Sequence, residues 1–423
     1  MLLLSGCGYL SGTEDILVAP HINERQAEVH AALGATLNLS DIQYKYPQQG
    51  DYRSPFILYD LDADGRQEAI VFYAFRDDPA YIRAKILREG EGGWYSAYDI
   101  TGGGDQVKFI QFALLRGEGG DSMLVGWQDA RRSTTLSVYS LVDGALNEEF
   151  SRTYTDYLVV SARTSSRKDI LIVSQDDSGF YQASLLGLGI GGHLQELSAF
   201  SLAQEATHVL QLMQGRLWDN TTGIYVDLLL DGTTTATEII RVAGGALEPV
   251  AAQIGGEDFS NTFREDDSAL CVDLEGDGVV EVPVLFPLSG QEDESPELPA
   301  LSLTQFMHID GNGFKPVYSA VVNDEYGYLL YFPERWVDTV TVRRLVENGE
   351  WQFYGLDPES GEPATELLRI RVYSVRDYQD KFIGSYELLA ENGLLRYYAY
   401  IPAMADEPLA VTADEVEKMF LLL

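Results

Sequence analysis

Asp60-Leu61-Asp62-Ala63-Asp64-Gly65-Arg66-Gln67-Glu68 decides how the chain is read. Three carboxylates at alternate positions, then a Gly, then a fourth acid make a loop able to wrap a hard cation in oxygen ligands. Apolar runs flank it, Phe56-Ile57-Leu58-Tyr59 before and Ala69-Ile70-Val71-Phe72-Tyr73 after. The string returns as Asp273-Leu274-Glu275-Gly276-Asp277-Gly278-Val279-Val280-Glu281, between Ala269-Leu270-Cys271-Val272 and Val282-Pro283-Val284-Leu285-Phe286. Two copies so far apart predict a repeat architecture.

Working outward, three more stretches keep the frame of strand, polar turn and strand without the acids. They are Ile110–Trp127 around the turn Arg116–Asp121, Tyr157–Val173 around Arg163–Lys168, and Val209–Leu230 around Trp218-Asp219-Asn220. Each of the five units then closes with a second hairpin marked by glycine. Measured at Gly92, Gly144, Gly192, Gly245 and Asn312, the steps are 52, 48, 53 and 67 residues. The last step is lengthened by the acidic insertion Gln291–Glu297. Four strands per unit at about 50 residues is the period of propeller blades. Near-continuous apolar strands suit sheets packed on both faces.

Outside the repeats, Gly8 to about Asn23 reads as a tether. Glu24–Leu33 reads as a short helix with Ala27, His30, Ala31 and Gly34 on one face. From about Tyr326 the pattern changes. Val340–Leu345 and Trp351–Leu356 flank the hairpin signal Glu347-Asn348-Gly349-Glu350. Leu367–Val375 alternates, Asp377–Leu389 reads as helical, and Glu391-Asn392-Gly393 turns into Leu394–Ile401. Thr412-Ala413-Asp414-Glu415 is a capping box that opens a last helix. The expected organisation is therefore mainly β: a tether over 1–23, a helix and lead-in over 24–51, a propeller-like domain of about five four-stranded units over 52–322, and a small α+β domain over 323–423.

Composition narrows the function. The 423 residues are 45% hydrophobic, enough for a real core, and carry a formal charge of −37 from 66 acids against 29 bases. That balance argues against nucleic acid and against an electrostatic grip on anionic lipid. Two cysteines build no disulfide framework. Cys271 reads as a small apolar strand residue. No run approaches the ~20 apolar residues of a membrane span.

Catalytic signals are poor. Gly120-Asp121-Ser122-Met123 resembles the serine block of GDSL-type hydrolases, but no Asp-x-x-His follows. The histidines at 21, 30, 193, 208 and 308 show no metal-ligand spacing. Phosphate-loop and dinucleotide fingerprints are missing. Nor are the acidic loops EF-hands, because the twelfth position from Asp60 is Val71.

The loops resemble the calcium loops of the FG-GAP/VCBS repeats of integrin-α-type propellers and many bacterial surface proteins, whose pattern is D-x-D-x-D-G-x-x-D between two strands. Asp60, Asp62, Asp64, Gly65 and Glu68 match it, as do Asp273, Glu275, Asp277, Gly278 and Glu281, with Glu for Asp at the last position of both. The resemblance covers about 52–320 and implies Ca²⁺ held by those acids, with the Arg66 and Val279 carbonyls as further ligands. Leu4-Ser5-Gly6-Cys7 resembles a bacterial lipobox. It implies a lipid on Cys7, a start upstream of Met1, and a place outside the cell on the outer face of the cytoplasmic membrane. The whole resembles Gram-positive lipoproteins that join such repeats to a small C-terminal domain, here similar to PsbP-like domains in its Tyr326-Gly327-Tyr328…Phe332-Pro333 opening. The expected function is a non-enzymatic, lipid-anchored binding module for an envelope or extracellular protein or glycan. The rival is an envelope hydrolase of glycan or peptide with its site in the propeller's central funnel.

Overall fold

Strand rows with an apolar residue at nearly every position need cover on both sides, and the fold supplies it by stacking sheets. The structure, a computed structural model, describes residues 24–117, 119–163, 166–250, 259–265, 269–291, 300–345, 349–375, 386–403 and 407–423. Cys7 and the tether lie outside them. The contacts fall into two compact units, one reaching Ser174 and including Ser184–Leu197, the other formed by Gln175–Ala183 and Ser198 onward.

Helix α1 (Glu24–Thr36) precedes β1 (Ile42–Tyr44), β2 (Phe56–Tyr59), β3 (Glu68–Phe75), β4 (Asp78–Gly90) and β5 (Gly93–Thr101), which form the first sheet. The lead-in strand β1 and the repeat strand β2 share one edge of β3, at Tyr73–Phe75 and Glu68–Val71 respectively. The second sheet is β6 (Gln106–Ala113), β7 (Ser122–Gln128), β8 (Thr134–Val142) and β9 (Ala145–Thr153). Its closing turn, Asp143-Gly144, has both residues at positive φ (52° and 76°), the backbone that matches strand twist in a two-residue hairpin. The third is β10 (Asp156–Val160), β11 (Asp169–Gln175), β12 (Tyr181–Leu188) and β13 (Leu194–Ser201). The fourth is β14 (Ala206–Arg216), β15 (Thr222–Leu230), β16 (Thr234–Ala243) and β17 (Ala246–Pro249). The second, third and fourth are antiparallel meanders in chain order, as the repeat predicts, and the first is the same over β2–β5 with β1 added beside β2.

Stacking is visible within each unit. In the first, Ile57, Ile70 and Phe72 of the first sheet pack with Val107, Ile110, Met123 and Trp127 of the second. Phe109, Leu124 and Leu136 of the second pack with Ile170, Ile172 and Leu186 of the third. In the second unit, Tyr225 and Ile239 meet Val280, Val282 and Ile309. Each such Ile or Val, fully buried, contributes ~1.5–3 kcal/mol.

The fifth sheet departs from the expected unit. It consists of β18 (Val282–Pro287), β19 (Ser302–Asp310), β20 (Gly313–Asn323), β21 (Tyr328–Tyr331) and, at its edge, the C-terminal segment. Ala269–Val272, expected as its first strand, makes only an isolated bridge, Val272 to Glu281. Its backbone is drawn off by a buried side chain instead: the Cys271 amide donates to Asp227 at 2.8 Å. Tyr328–Tyr331 of the aromatic opening pairs with β20. The remaining small α+β part holds β22 (Val340–Leu345), β23 (Glu350–Leu356), β24 (Pro363–Ser374), β25 (Glu387–Asn392) and β26 (Leu395–Tyr400), in the order β22-β23-β24-β26-β25. Helix α2 (Ala413–Met419), with the expected Thr412–Glu415 capping box, leads into β27 (Phe420–Leu422), which hydrogen-bonds to β21.

Two local expectations are corrected. The buried face of α1 is Val29 and Leu33, not Ala27, His30, Ala31 and Gly34. Two branched side chains bury more apolar area than two alanines and a glycine, and they find Ile42, Phe56 and Val71. The expected helix Asp377–Leu389 falls mostly outside the described residues, and Glu387–Leu389 is strand, paired with β26. The chain is thus mainly β, with a propeller-like fold and a small C-terminal α+β part. Among the described residues no helix is long and apolar enough to cross a membrane.

Candidate functional site

The two acidic strings fold into the same loop. In the first, Asp60 accepts from the amides of Asp64 (3.2 Å) and Gly65 (3.0 Å), Asp64 from Arg66 (2.7 Å), and Glu68 from Leu61 (2.8 Å). In the second, Asp273 accepts from Asp277 (3.1 Å) and Gly278 (2.8 Å), Asp277 from Val279 (2.8 Å), and Glu281 from Leu274 (2.8 Å). The left-handed positions also correspond, Ala63 and Gly65 in one, Gly276 and Gly278 in the other. The pattern is local: a short acid accepts the amides two to five residues on and so winds the backbone around its own carboxylate.

The carboxylates still have acceptor capacity, since each can accept about four hydrogen bonds. Asp60, Asp62 and Glu68 bring one oxygen each within 4.8 Å of one another, the one such group of three or more His, Cys, Asp or Glu among the described residues. Asp64 is exposed and stands further out. The oxygen-only donor set and its convergence fit a hard divalent ion. Glu68, 2% exposed, is the buried member. Burial lifts its pKa, Asp62 and Asp64 add to the rise, and the Leu61 amide and Arg88 oppose it.

Sequence reasoning missed what lies opposite these acids. Arg88 of β4 reaches into the first loop. Its guanidinium pairs with Asp62, with Glu68 at 3.3 Å and with Asp64 at 3.6 Å. Burial works against its charge, but the carboxylates of Asp62 and Glu68 outweigh it and hold its pKa above the ordinary guanidinium value. In the second loop the counterpart is His308 of β19, whose Nε2 lies 2.5 Å from Glu281. The two are equivalent by register. Ala69 faces Leu87 and Val282 faces Met307, so the last acid of each loop is one step from a cross-strand basic residue. The Tyr318 hydroxyl donates to Glu275, and Arg216 stands 3.9 Å from Asp277. Arg66 and Val279 enter the loops through their amides.

Neighbouring turns hold both loops. A Cβ on Gly120 would lie 2.0 Å from the Leu61 carbonyl and 2.6 Å from Asp62 Cα, so the turn between β6 and β7 touches the first loop where no side chain fits. The Arg216 amide donates to the Gly278 carbonyl at 2.7 Å. Ser122, of the hydrolase-like string, is 1% exposed, and its hydroxyl bonds that of Ser140 at 2.7 Å. A nucleophile would have to be reachable, and this one is packed inside a sheet.

A second polar cluster, unforeseen in the sequence, is sealed in the core of the second unit. Asp227 and Arg264 pair at 2.8 Å with both side chains fully buried. Thr237 donates to Asp227 at 2.6 Å, Arg264 to Thr237 and to the Thr262 carbonyl at 3.0 Å each, and the Cys271 thiol to Asp227 at 3.3 Å. Burial, with Asp227 beside it, pushes the Cys271 thiol pKa well up. A satisfied network of this kind fixes Thr262, Arg264 and Cys271 against β15 and β16.

No family model and no curated protein matches the chain. Among solved structures, Sqt1 of Saccharomyces cerevisiae is 11% identical, the match covering 85% of this chain and 98% of that one at a TM-score of 0.31. A 6-phosphogluconolactonase-like protein of Bacteroides fragilis is 14% identical over 76% of this chain and 92% of its own, with a TM-score of 0.28. Sqt1 of Chaetomium thermophilum is 12% identical over 70% and 69%, with a TM-score of 0.29. Likeness at these scores carries no argument, and the fold rests on the sheets themselves.

Proposed function

We propose that the chain is a non-enzymatic binding module of the FG-GAP/VCBS-like kind, held outside the cell on the cytoplasmic membrane by a lipid on Cys7, with Ca²⁺ stiffening its two acidic loops. The observation that carries the reading is the matched pair of loops: four backbone-to-carboxylate bonds repeated between Asp60–Glu68 and Asp273–Glu281. Asp60, Asp62, Asp64 and Glu68 would hold the ion in the first, Asp273, Glu275, Asp277 and Glu281 in the second, with the Arg66 and Val279 carbonyls beside them. The ion supplies the charge that lets clustered carboxylates sit together. Arg88 supplies part of that charge already, so calcium competes with it. Affinity then falls in the ~10⁻⁴–10⁻³ M range of extracellular modules. At millimolar calcium such binding adds about 1 kcal/mol, enough to stiffen a loop and too little to hold a sheet together.

Titration calorimetry of the soluble protein from Gly8 onward tests the calcium reading. Binding is expected at millimolar Ca²⁺, and Asp62→Ala and Asp277→Ala should each lose melting temperature in calcium but much less in chelator. No heat at several millimolar, with identical melting in both buffers, overturns it. Expression behind a bacterial secretion leader and labelling with a palmitate analogue tests the anchor, which fails if label persists in Cys7→Ser. The immobilised protein should retain an envelope protein or glycan, and binding of neither counts against a module.

A further inference from the structure

In the second unit a groove runs between the β20–β21 face and helix α2. Ala320 faces Tyr331 in the β20–β21 ladder, which puts Tyr318 and Tyr331 diagonally on one face. Their ring centroids are 5.1 Å apart and their planes 51° apart. With Phe332, Pro333 and Met419 they line a cavity of about 450 Å³, and Glu415 and Lys418 of α2 border it. That volume lies within the roughly 300–1,000 Å³ of small-molecule sites.

Its walls are set in advance. The Tyr318 hydroxyl is tied to Glu275 of the second acidic loop. Glu415 is held by the Arg335 guanidinium at 2.8 Å and by the Thr412 amide at 3.0 Å. Met419 and Phe332 are buried and cannot turn away. Groups already ordered cost little to immobilise on binding.

The chemistry of this lining selects a ligand class. Two half-buried tyrosine rings offer flat apolar faces. Their hydroxyls, a carboxylate and an ammonium stand around them as donors and acceptors. A purely apolar guest would strip water from the Lys418 ammonium at the rim without replacing its hydrogen bonds. An anion or a cation finds no consistent sign, because Glu275 and Glu415 balance Lys418 and Arg335 around the groove. What remains is a neutral molecule with an apolar face and a polar edge. We infer that this groove binds a neutral saccharide, a sugar ring laid on Tyr331 and Tyr318 with its hydroxyls toward Glu415 and Lys418.

The inference rests on the binding-module reading and narrows its ligand to the glycan side. A panel of neutral hexasaccharides of glucose, N-acetylglucosamine and mannose, titrated into the full soluble protein, is expected to yield a binder. Tyr331→Ala should weaken it about tenfold, while Tyr331→Phe, which keeps the ring, should bind within about twofold. If Tyr331→Ala melts early, Lys418→Ala gives the second reading and should also weaken the binder. Hydrogen exchange should slow on addition of sugar in 318–333 and 413–419 and nowhere else. The inference is overturned if no hexasaccharide binds, if binding survives both Tyr331→Ala and Lys418→Ala, or if the groove takes aromatic peptides and no sugar. The module reading survives each of those outcomes provided the envelope capture succeeds, so the two failures are distinguishable.

Discussion

Arg88→Met isolates the role of a positive charge fixed inside an acidic loop. In the wild type that charge is shared among Asp62, Asp64 and Glu68. Methionine keeps most of the stem and removes the guanidinium. Glu68 then keeps its bond from the Leu61 amide but loses its counter-charge while remaining buried. Breaking a fully buried pair costs ~3–5 kcal/mol. Arg88 is 24% exposed, and Asp62 and Asp64 can turn to water, so about 2 kcal/mol is the reasonable figure. In chelator, a unit of this size should lose about 4–8 °C of melting temperature. In calcium two effects reverse that loss. The ion replaces the missing charge, and it no longer has to displace a guanidinium. The variant should therefore bind Ca²⁺ more tightly than the wild type and regain most of its melting temperature at millimolar calcium. Melting curves at fixed calcium, paired with calorimetry, read both effects. If Arg88→Met melts like the wild type in chelator, the guanidinium does not stabilise the loop. If it melts early but binds calcium no better, the ion and Arg88 do not share a place.

Three other outcomes concern Glu238, Cys271 and Gly120. Burial lifts Glu238 to about 7, against the hydrogen bond from the Ala203 amide, while in the unfolded chain it titrates near ~4.3. The native state therefore holds the extra proton between those values, and stability present below ~4.3 is lost as pH rises through about 7, by about 4 kcal/mol; Glu238→Gln should flatten that slope in urea titrations, and an unchanged slope refutes the assignment. The Cys271 thiol, 2% exposed and pushed to high pKa, should react with a disulfide reagent only at the rate of unfolding; labelling within seconds in native buffer would contradict its burial. Gly120→Ala meets the Leu61 carbonyl at 2.0 Å and sits at φ +96°, so it should cost about 2–3 kcal/mol and shift amide signals of Asp60–Glu68 while sparing Asp273–Glu281.

The parts legible in the sequence are those set by near neighbours. Acid-to-amide bonds span at most seven residues, so both loops show in the chain as spacing. The Asp143-Gly144 and Gly244-Gly245 turns show for the same reason, as positive-φ residues between alternating strands. What escaped notice is set at a distance. Arg88 and His308 reach the loops only through a cross-strand register that no local pattern announces. Ala269–Val272 has the composition of a strand, but Asp227, forty-four positions back, claims the Cys271 amide. Val29 and Leu33 face four small or polar positions, Ala27, His30, Ala31 and Gly34, on the competing face and prevail on apolar area. Glu387–Leu389 continues a polar stretch with good helix formers, and pairing with β26 overrides that weak preference.

The pairing of β27 with β21 sets a schedule for biosynthesis. Tyr328 finds its partner in Leu422, so this edge of the fifth sheet stays open while everything between them is being made. At ~5–20 residues per second that delay is several seconds. During it, the outer N–H and C=O groups of Tyr328–Tyr331 are a bare edge onto which another nascent chain could add. The late arrival of three residues thus leaves this edge of the growing polypeptide open to aggregation until Phe420–Leu422 emerge. Any chaperone that attends this chain has its work concentrated in that interval.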